Sequence, residues 1–256
     1  MIEVEAYRVL AERVVGRRVG RVHAPDPWYL KEGTNARALR AALSGATVAG
    51  ARRVGKLLLL DTSGPVLGLR FGMTGRLLVD GTGPIEQLEY SSRRALPAWV
   101  RFGLRLEGGG AMEMIDPRRL GGVILDPDIG RLGPDAAAIT RAELAAGLAR
   151  SRAPLKAWLL DQSRVAGVGN LIADETLWRA GLDPARAAAS LDRDEVATLH
   201  RQLRRTIATL TRRGGSHTGD LQVARIRGST CPRDGALLQR RTVGGRTTYS
   251  CPQHQT

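Results

Sequence analysis

The hydrophobic period of this chain changes once, and that change limits what it can fold into. From about residue 17 to residue 125 the apolar residues come in short runs: RVGKLLLLDT, VLGLRFGMTGRLLVD, AWVRFGLRLEG and AMEMI. Each is apolar or alternating and is bounded by Gly, Pro and Ser, which predicts strands of a β-sandwich or barrel. Beyond residue 139 the spacing becomes helical, with helices expected over 140–150, 154–161, 169–180 and 192–213. In the last of these Val196, Leu199, Leu203, Ile207 and Leu210 form one stripe, and Arg201, Arg204, Arg205 and Arg212 lie mostly off it. A further helix is expected over 3–15, where Val4, Tyr7, Leu10, Ala11 and Val14 share a face and acids open the first turn. The Pro-, Gly- and Asp-rich stretch at 124–139 reads as a linker. The expectation is an α+β multidomain protein: an N-terminal helix and β-sandwich domain at 1–125, a linker at 126–139, a helical domain at 140–224 and a β-hairpin module at 225–256.

Charge narrows the function. There are 39 Lys+Arg against 25 Asp+Glu, a net +14 and a pI near 11.2, a field that attracts polyanions. All but three of the basic residues are Arg, the exceptions being Lys31, Lys56 and Lys156. Between His200 and Arg246 there are eleven Arg and only two acids, Asp220 and Asp234. A segment that basic repels itself unless phosphates neutralise it. No apolar run approaches the ~18 residues of a membrane span, and MIEVEAYRVL carries acids where a secretory signal carries basic residues. A cytoplasmic protein, associated with the nucleoid when bound to DNA, is the expectation.

The tail reads Cys231-Pro-Arg-Asp234, sixteen residues, then Cys251-Pro-Gln-His254. Two such knuckles are the skeleton of a zinc ribbon or β-hairpin zinc finger. The second ligand of each knuckle is Asp or His rather than Cys, so a carboxylate replaces a soft thiolate. A metal-free hairpin of the same shape is the competing reading. Between the knuckles, Gly244-Gly245 suits a hairpin turn that presents Arg246 at its tip, a position suited to gripping phosphate.

GVGN (167–170) leads into a helix that begins near Asn170. A Gly-rich turn there exposes backbone N–H groups to an anion, and Asn170 is suited to cap the helix and to donate to a phosphate. The stretch DQSRVAGVGNLIADETLWRAGLDP resembles the helix–two-turns–helix motif of the formamidopyrimidine-DNA glycosylase/endonuclease VIII family. The tail CPRDG…VGGRTTYSCPQHQ resembles that family's terminal zinc finger, and LGPDA (132–136) its interdomain linker. RRVGKLLLL resembles the segment holding a catalytic-site lysine, here Lys56. FGMTGRL resembles the loop that inserts a Met into the duplex, here Met73. DPRRLGG resembles the loop supplying an Arg and an apolar wedge, here Arg118 and Leu120. The similarity runs from residue 2 to residue 255 in order.

The resemblance implies a base-excision enzyme acting on double-stranded DNA with a damaged base or abasic site, and one structural zinc held by Cys231, Asp234, Cys251 and His254. The sequence carries no signature of oligomerisation, so a monomer is the default expectation. It implies that Met73, Arg118 and Leu120 fill the space left by a flipped base, and that Lys156, Asn170 and Arg246 contact phosphates. Lys56 and Arg246 occupy catalytic-type positions. In the family an N-terminal amine attacks the sugar C1′, forms a Schiff base, and β- and δ-elimination cut the strand.

Three departures stand out. The family opens Pro-Glu after the initiator Met, whereas this chain opens Met1-Ile2-Glu3-Val4-Glu5, which matches a later stretch of the family pattern. The expectation is a true start upstream. The alternatives are a damaged-DNA binding protein without excision, or another amine, the Met1 α-amine or Lys56. Arg70 stands where the family loop often carries His, and Leu120 replaces an aromatic wedge; both bear on lesion and opposite-base preference. A DNA-binding transcription regulator would explain the charge and the finger but not Met73, Arg118 and Leu120 in wedge-like loops.

Overall fold

A computed structural model describes residues 1–85, 88 and 96–256. The chain divides into two compact units: Glu3–Ile129, and Gly130–Thr256 together with Met1–Ile2.

The first unit begins with α1 (Ile2–Ala11), continued by a 3-10 turn through Val14. The expected stripe is buried throughout, with Tyr7, Ala11 and Val14 at 0% exposure. The strands are β1 (Val19–His23), β2 (Val48–Val54), β3 (Leu57–Thr62), β4 (Leu67–Arg70), β5 (Arg76–Val79), β6 (Val100–Leu106), β7 (Ala111–Ile115) and β8 (Gly122–Leu125). They form two four-stranded sheets, ordered β1-β6-β7-β5 and β2-β3-β4-β8, and every ladder is antiparallel. Leu58, Leu60, Leu67, Leu69, Leu77, Phe102, Met112 and Met114 pack with the α1 stripe into one core.

Two expected runs are each divided. RVGKLLLLDT turns at Gly55-Lys56 between β2 and β3, where Gly55 takes φ +58. VLGLRFGMTGRLLVD leaves one sheet as β4 and enters the other as β5. Between β1 and β2 the strand reading also missed α2 (Ala36–Leu43), capped by the Asn35 side chain on the Ala38 N–H. Its buried Leu39 and Leu43 give one helical repeat, too short a signal to stand out among strands.

The second unit contains α3 (Arg141–Ala149), α4 (Leu155–Leu160), α5 (Asn170–Ala180), α6 (Arg193–Arg212) and the hairpin β9 (Gln239–Val243) and β10 (Arg246–Ser250). Its helices lie within a residue of the expected limits because caps fix them. Thr140 with Glu143 and Asp192 with Glu195 form capping boxes that open α3 and α6. Gly181, at φ +73, closes α5. The predicted α6 stripe is buried, and it packs with Leu155, Trp158, Ile172 and Leu177 and with Met1 and Ile2. The hairpin module, separated from the helices in the sequence reading, falls within this same unit. A smaller apolar cluster of Trp178, Leu221, Leu238 and both cysteines packs between α5 and the hairpin. No helix among the described residues is long and apolar enough to cross a membrane.

Truncating Leu203, which is fully buried in that core, is expected to cost about 2–5 kcal/mol. A lower urea midpoint for Leu203→Ala checks it.

Candidate nucleic-acid interface

The first group of candidate residues follows from the sheet topology. The connection β4→β5 crosses from one sheet to the other, and so does β7→β8. Since β4 pairs with β8 and β5 with β7, the two crossovers run side by side at one end of the sandwich. Met73 lies on the first, and Arg118 and Leu120 lie on the second. Met73 is 49% exposed and Leu120 44%, unusual for large apolar side chains beside a well-filled core. The loops touch at the backbone: a Cβ on Gly72, which sits at φ +59, would lie 2.7 Å from the Leu120 main chain.

One carboxylate holds both loops. Asp116 is fully buried. Its Oδ1 accepts the Thr74 hydroxyl at 2.5 Å and the Arg118 N–H at 3.2 Å, and its Oδ2 accepts the Gly121 N–H at 2.8 Å. The Tyr7 hydroxyl donates to the Gly75 carbonyl, tying the Met73 loop to α1. Arg119 adopts φ +57 and its guanidinium donates to Asp26 at 2.7 Å, so the second loop is anchored on both sides of Arg118.

Lys56 is exposed on the Gly55 turn. Arg53 donates to the Gly55 carbonyl at 2.8 Å and to Glu5 of α1 at 2.9 Å. Burial alone would raise the Glu5 pKa, but hydrogen bonds from Arg8 and Arg53 hold it below its ordinary value. The tip that carries Lys56 is therefore braced to α1 by a charged pair.

The second group lies in the helical unit. Gly244 and Gly245 both take positive φ, +59 and +71, as a type I′ hairpin turn requires. A Cβ on Gly244 would lie 2.7 Å from the Ala157 methyl, so the tip fits against α4 only as glycine. Arg246 is exposed at that tip. The Asn170 amide donates to the Thr247 carbonyl at 3.1 Å, which leaves its second N–H for an anion. Asn170 is the first helical residue; the cap is Gly169. Gln162 holds the glycine turn, accepting from the Gly167 N–H and donating to the Val168 carbonyl.

Lys156 departs from its expected place at a phosphate. Its side chain is 0% exposed, and Nζ lies 2.6 Å from Asp174, 2.7 Å from the Thr248 hydroxyl and 3.0 Å from the Thr247 carbonyl. Asp174 also pairs with Arg225. A single carboxylate between two cations leaves a net positive charge, and Arg does not give up its proton. Burial, with Arg225 and Arg246 nearby, pulls the Lys156 pKa down to about 7. Lys156 thus acts on the hairpin that carries Arg246 rather than on solvent-borne phosphate.

The third group is the tail. Ligand atoms of Cys231, Asp234, Cys251 and His254 lie within 4.8 Å of one another. Cys251 Sγ is 3.3 Å from Asp234, and Cys231 Sγ is 3.9 Å from His254 Nδ1. Bond lengths of about 2.0–2.3 Å in a tetrahedron require separations of roughly 3.3–3.8 Å. The Trp178 indole N–H and the Arg233 N–H both point at Cys231 Sγ. His254 Nε2 meets the Trp178 carbonyl at 3.2 Å, the outer contact that turns Nδ1 inward. His254 Nδ1 and Asp234 are 2.5 Å apart, and that hydrogen bond holds the Asp234 carboxyl well below the usual carboxylate range.

The sequence reading missed Asp116, Asp174, Thr74 and Gln162; the first three are buried and Gln162 is half-buried. Asp116 stood in the quoted DPRRLGG and Asp174 among the apolar residues of α5; a carboxylate flanked by core positions was the available signal. Asp116→Ala is expected to leave buried donors unpaired at about 1–3 kcal/mol each. Faster hydrogen exchange in residues 72–75 and 117–121, with the rest of the sandwich protected, checks it.

Residues 1–123 match the family model for the formamidopyrimidine-DNA glycosylase N-terminal domain, and residues 132–221 the one for its H2TH domain. The formamidopyrimidine-DNA glycosylase of Symbiobacterium thermophilum is 34% identical over 278 residues, covering 99% of this chain and 88% of that protein. The Moorella thermoacetica protein of the same name is 36% identical over 247 residues, covering 86% and 83%. Among solved structures, the Lactococcus lactis glycosylase bound non-covalently to DNA containing an abasic site superposes with a TM-score of 0.83 at 25% identity, covering 100% of this chain and 99% of that one. The same enzyme with Fapy-dG DNA gives 0.82 at the same identity and coverage. This chain belongs to the formamidopyrimidine-DNA glycosylase family.

Proposed function

We propose that this protein is a base-excision repair enzyme, a bifunctional DNA glycosylase and abasic-site lyase acting on damaged duplex DNA. The observation that carries the reading is the pair of exposed apolar tips, Met73 and Leu120, on adjacent crossovers fixed by one buried carboxylate. Everting a base costs a few kcal/mol and leaves a gap in the stack. Apolar wedges between base steps offset that cost and kink the duplex. Arg118, on the same loop as Leu120, would offer a cation and hydrogen-bond donors to the unpaired partner base. Asn170 and Arg246 supply phosphate contacts, and Lys156 positions the hairpin that carries Arg246.

In the chemistry that the family implies, an amine lone pair attacks the sugar C1′. The N–C bond forms as the base leaves with the glycosidic electron pair and takes up a proton. The nitrogen lone pair then opens the sugar ring: the C1′–O4′ bond breaks, O4′ takes up a proton and a C1′=N Schiff base forms. The Schiff base acidifies C2′; loss of that proton expels the 3′ phosphate, and δ-elimination expels the 5′ phosphate. Lys56, exposed on its braced turn, would assist elimination. Borohydride reduction of the chain on an abasic duplex is expected to give a covalent adduct, with Lys56→Ala lowering strand cleavage by about 10-fold or more, the lower range for a positioned acid–base group. Tight damage-specific binding with no adduct, even after Met-Pro-Glu is restored ahead of the chain, would make it a damaged-DNA binding protein instead.

The tail fits a structural zinc ion. Cys231, Asp234, Cys251 and His254 would hold it, and the ion would supply folding energy to the hairpin rather than chemistry. A carboxylate is a harder ligand than a thiolate, so Asp234→Cys is expected to keep metal against a chelator that strips the parent. Elemental analysis should find one zinc per chain before chelation. Protein purified without chelator and lacking zinc would leave the hairpin as a metal-free turn.

A further inference from the structure

Helix α6 carries a second ordered set of charges that none of the groups above uses. Its buried residues Val196, Leu199, Leu203, Ile207 and Leu210 cluster about one direction of the helix. At about 100° per residue, Arg201, Arg205 and Arg212 point about 180° from it. All three are exposed. Over the 11 residues from the first to the last the helix rises about 16 Å. Ala208 lies between them on the same face, and Arg204 flanks it.

Among the described residues the stripe is not neutralised. Arg201 donates to the neighbouring Thr198 hydroxyl and, among the described residues, pairs with no carboxylate. Among the described residues neither Arg205 nor Arg212 meets a carboxylate, whereas Arg179, Arg186 and Arg213 each do. The acids of α6, Asp194 and Glu195, lie in its first turn, and Glu195 pairs with Arg186. From His200 to Arg213 there are five arginines and no acid. Like charges at i,i+4, as at 201 and 205, destabilise a helix. Arginines spread along one exposed face match a phosphate backbone, whose charges recur every ~3.4 Å along one strand.

We propose that this outward face of α6 binds the phosphate backbone of a second DNA duplex, separate from the one engaged through Asn170 and Arg246. The proposal rests on the protein being a DNA-repair enzyme. The direction of the face supports the separation. α5 packs against both α6 and β10, and the arginine stripe points away from the core in which α5 lies. A second grip on DNA allows transfer between duplex segments without full release.

The test uses the full chain and two labelled duplexes, one with a tetrahydrofuran abasic analogue and a donor dye, the other undamaged with an acceptor dye. The parent is expected to bring the two together. Arg201→Gln/Arg205→Gln/Arg212→Gln is expected to lose the second duplex while binding the abasic analogue and forming the borohydride adduct on an abasic duplex as the parent does. The salt slope of second-duplex binding should fall by about 0.9 for each contact removed. Arg246→Ala should weaken the abasic duplex and retain the other. Energy transfer equal in parent and triple variant, or absent in the parent, overturns the proposal, and so does capture of polyglutamate in preference to DNA. Loss of the adduct in the parent, by contrast, would strike the enzymatic reading and leave second-duplex capture to be judged on its own.

Discussion

The helical unit depends on one carboxylate that is asked to serve two cations. Asp174 sits on α5 with essentially no exposure, Lys156 reaches it from α4, and Arg225 reaches it from the segment before the finger. Removing one partner from such a buried set strands a charge, and that is far costlier than losing a surface pair. Lys156 Nζ extends the network to the Thr247 carbonyl and the Thr248 hydroxyl of β10, and Arg225 lies over the Tyr249 ring. The hairpin is therefore fixed to two helices before any metal is considered. The residue it carries outward is Arg246. A guanidinium grips phosphate bidentately only if its base does not drift, and the buried network supplies that fixed base.

The β unit solves a similar problem by topology. Two loops must hold apolar side chains in water at a fixed spacing, which the hydrophobic effect opposes. Placing both on adjacent crossovers makes their separation a property of the sheets rather than of the loops. Asp116 then locks the pair with three hydrogen bonds from the two loops. In both units the group proposed to meet DNA is exposed and the group that holds it is buried.

That division explains what the sequence showed and what it hid. The α1 and α6 stripes, the four helices after residue 139 and the two knuckles could be read because periodicity, caps and ligand spacing are local. Met73, Arg118, Leu120, Asn170 and Arg246 are singled out because family motifs mark them. The crossovers could not: VLGLRFGMTGRLLVD reads as continuous apolar sequence, and only sheet pairing shows that its halves belong to different sheets. The surroundings of Lys156 are hidden in the sequence for a related reason. A lysine in a basic chain suggests a phosphate contact, and nothing within α4 reveals that Asp174, eighteen positions later, removes it from solvent. Short α2 was lost because one pair of buried leucines does not establish a period.

The charge of the chain also separates into kinds once partners are assigned. Arg53, Arg119, Arg179, Arg186, Arg225 and Arg241 all pair with carboxylates, so much of the +14 is carried by the arginines left over. These are not scattered at random: Arg246 stands at the finger tip and Arg201, Arg205 and Arg212 stand along the outer face of α6. A diffuse positive field would serve encounter with DNA equally well from any placement. Ordered rows on a helix that gains nothing from them in stability require a reason beyond encounter, and a repeating anionic backbone provides one.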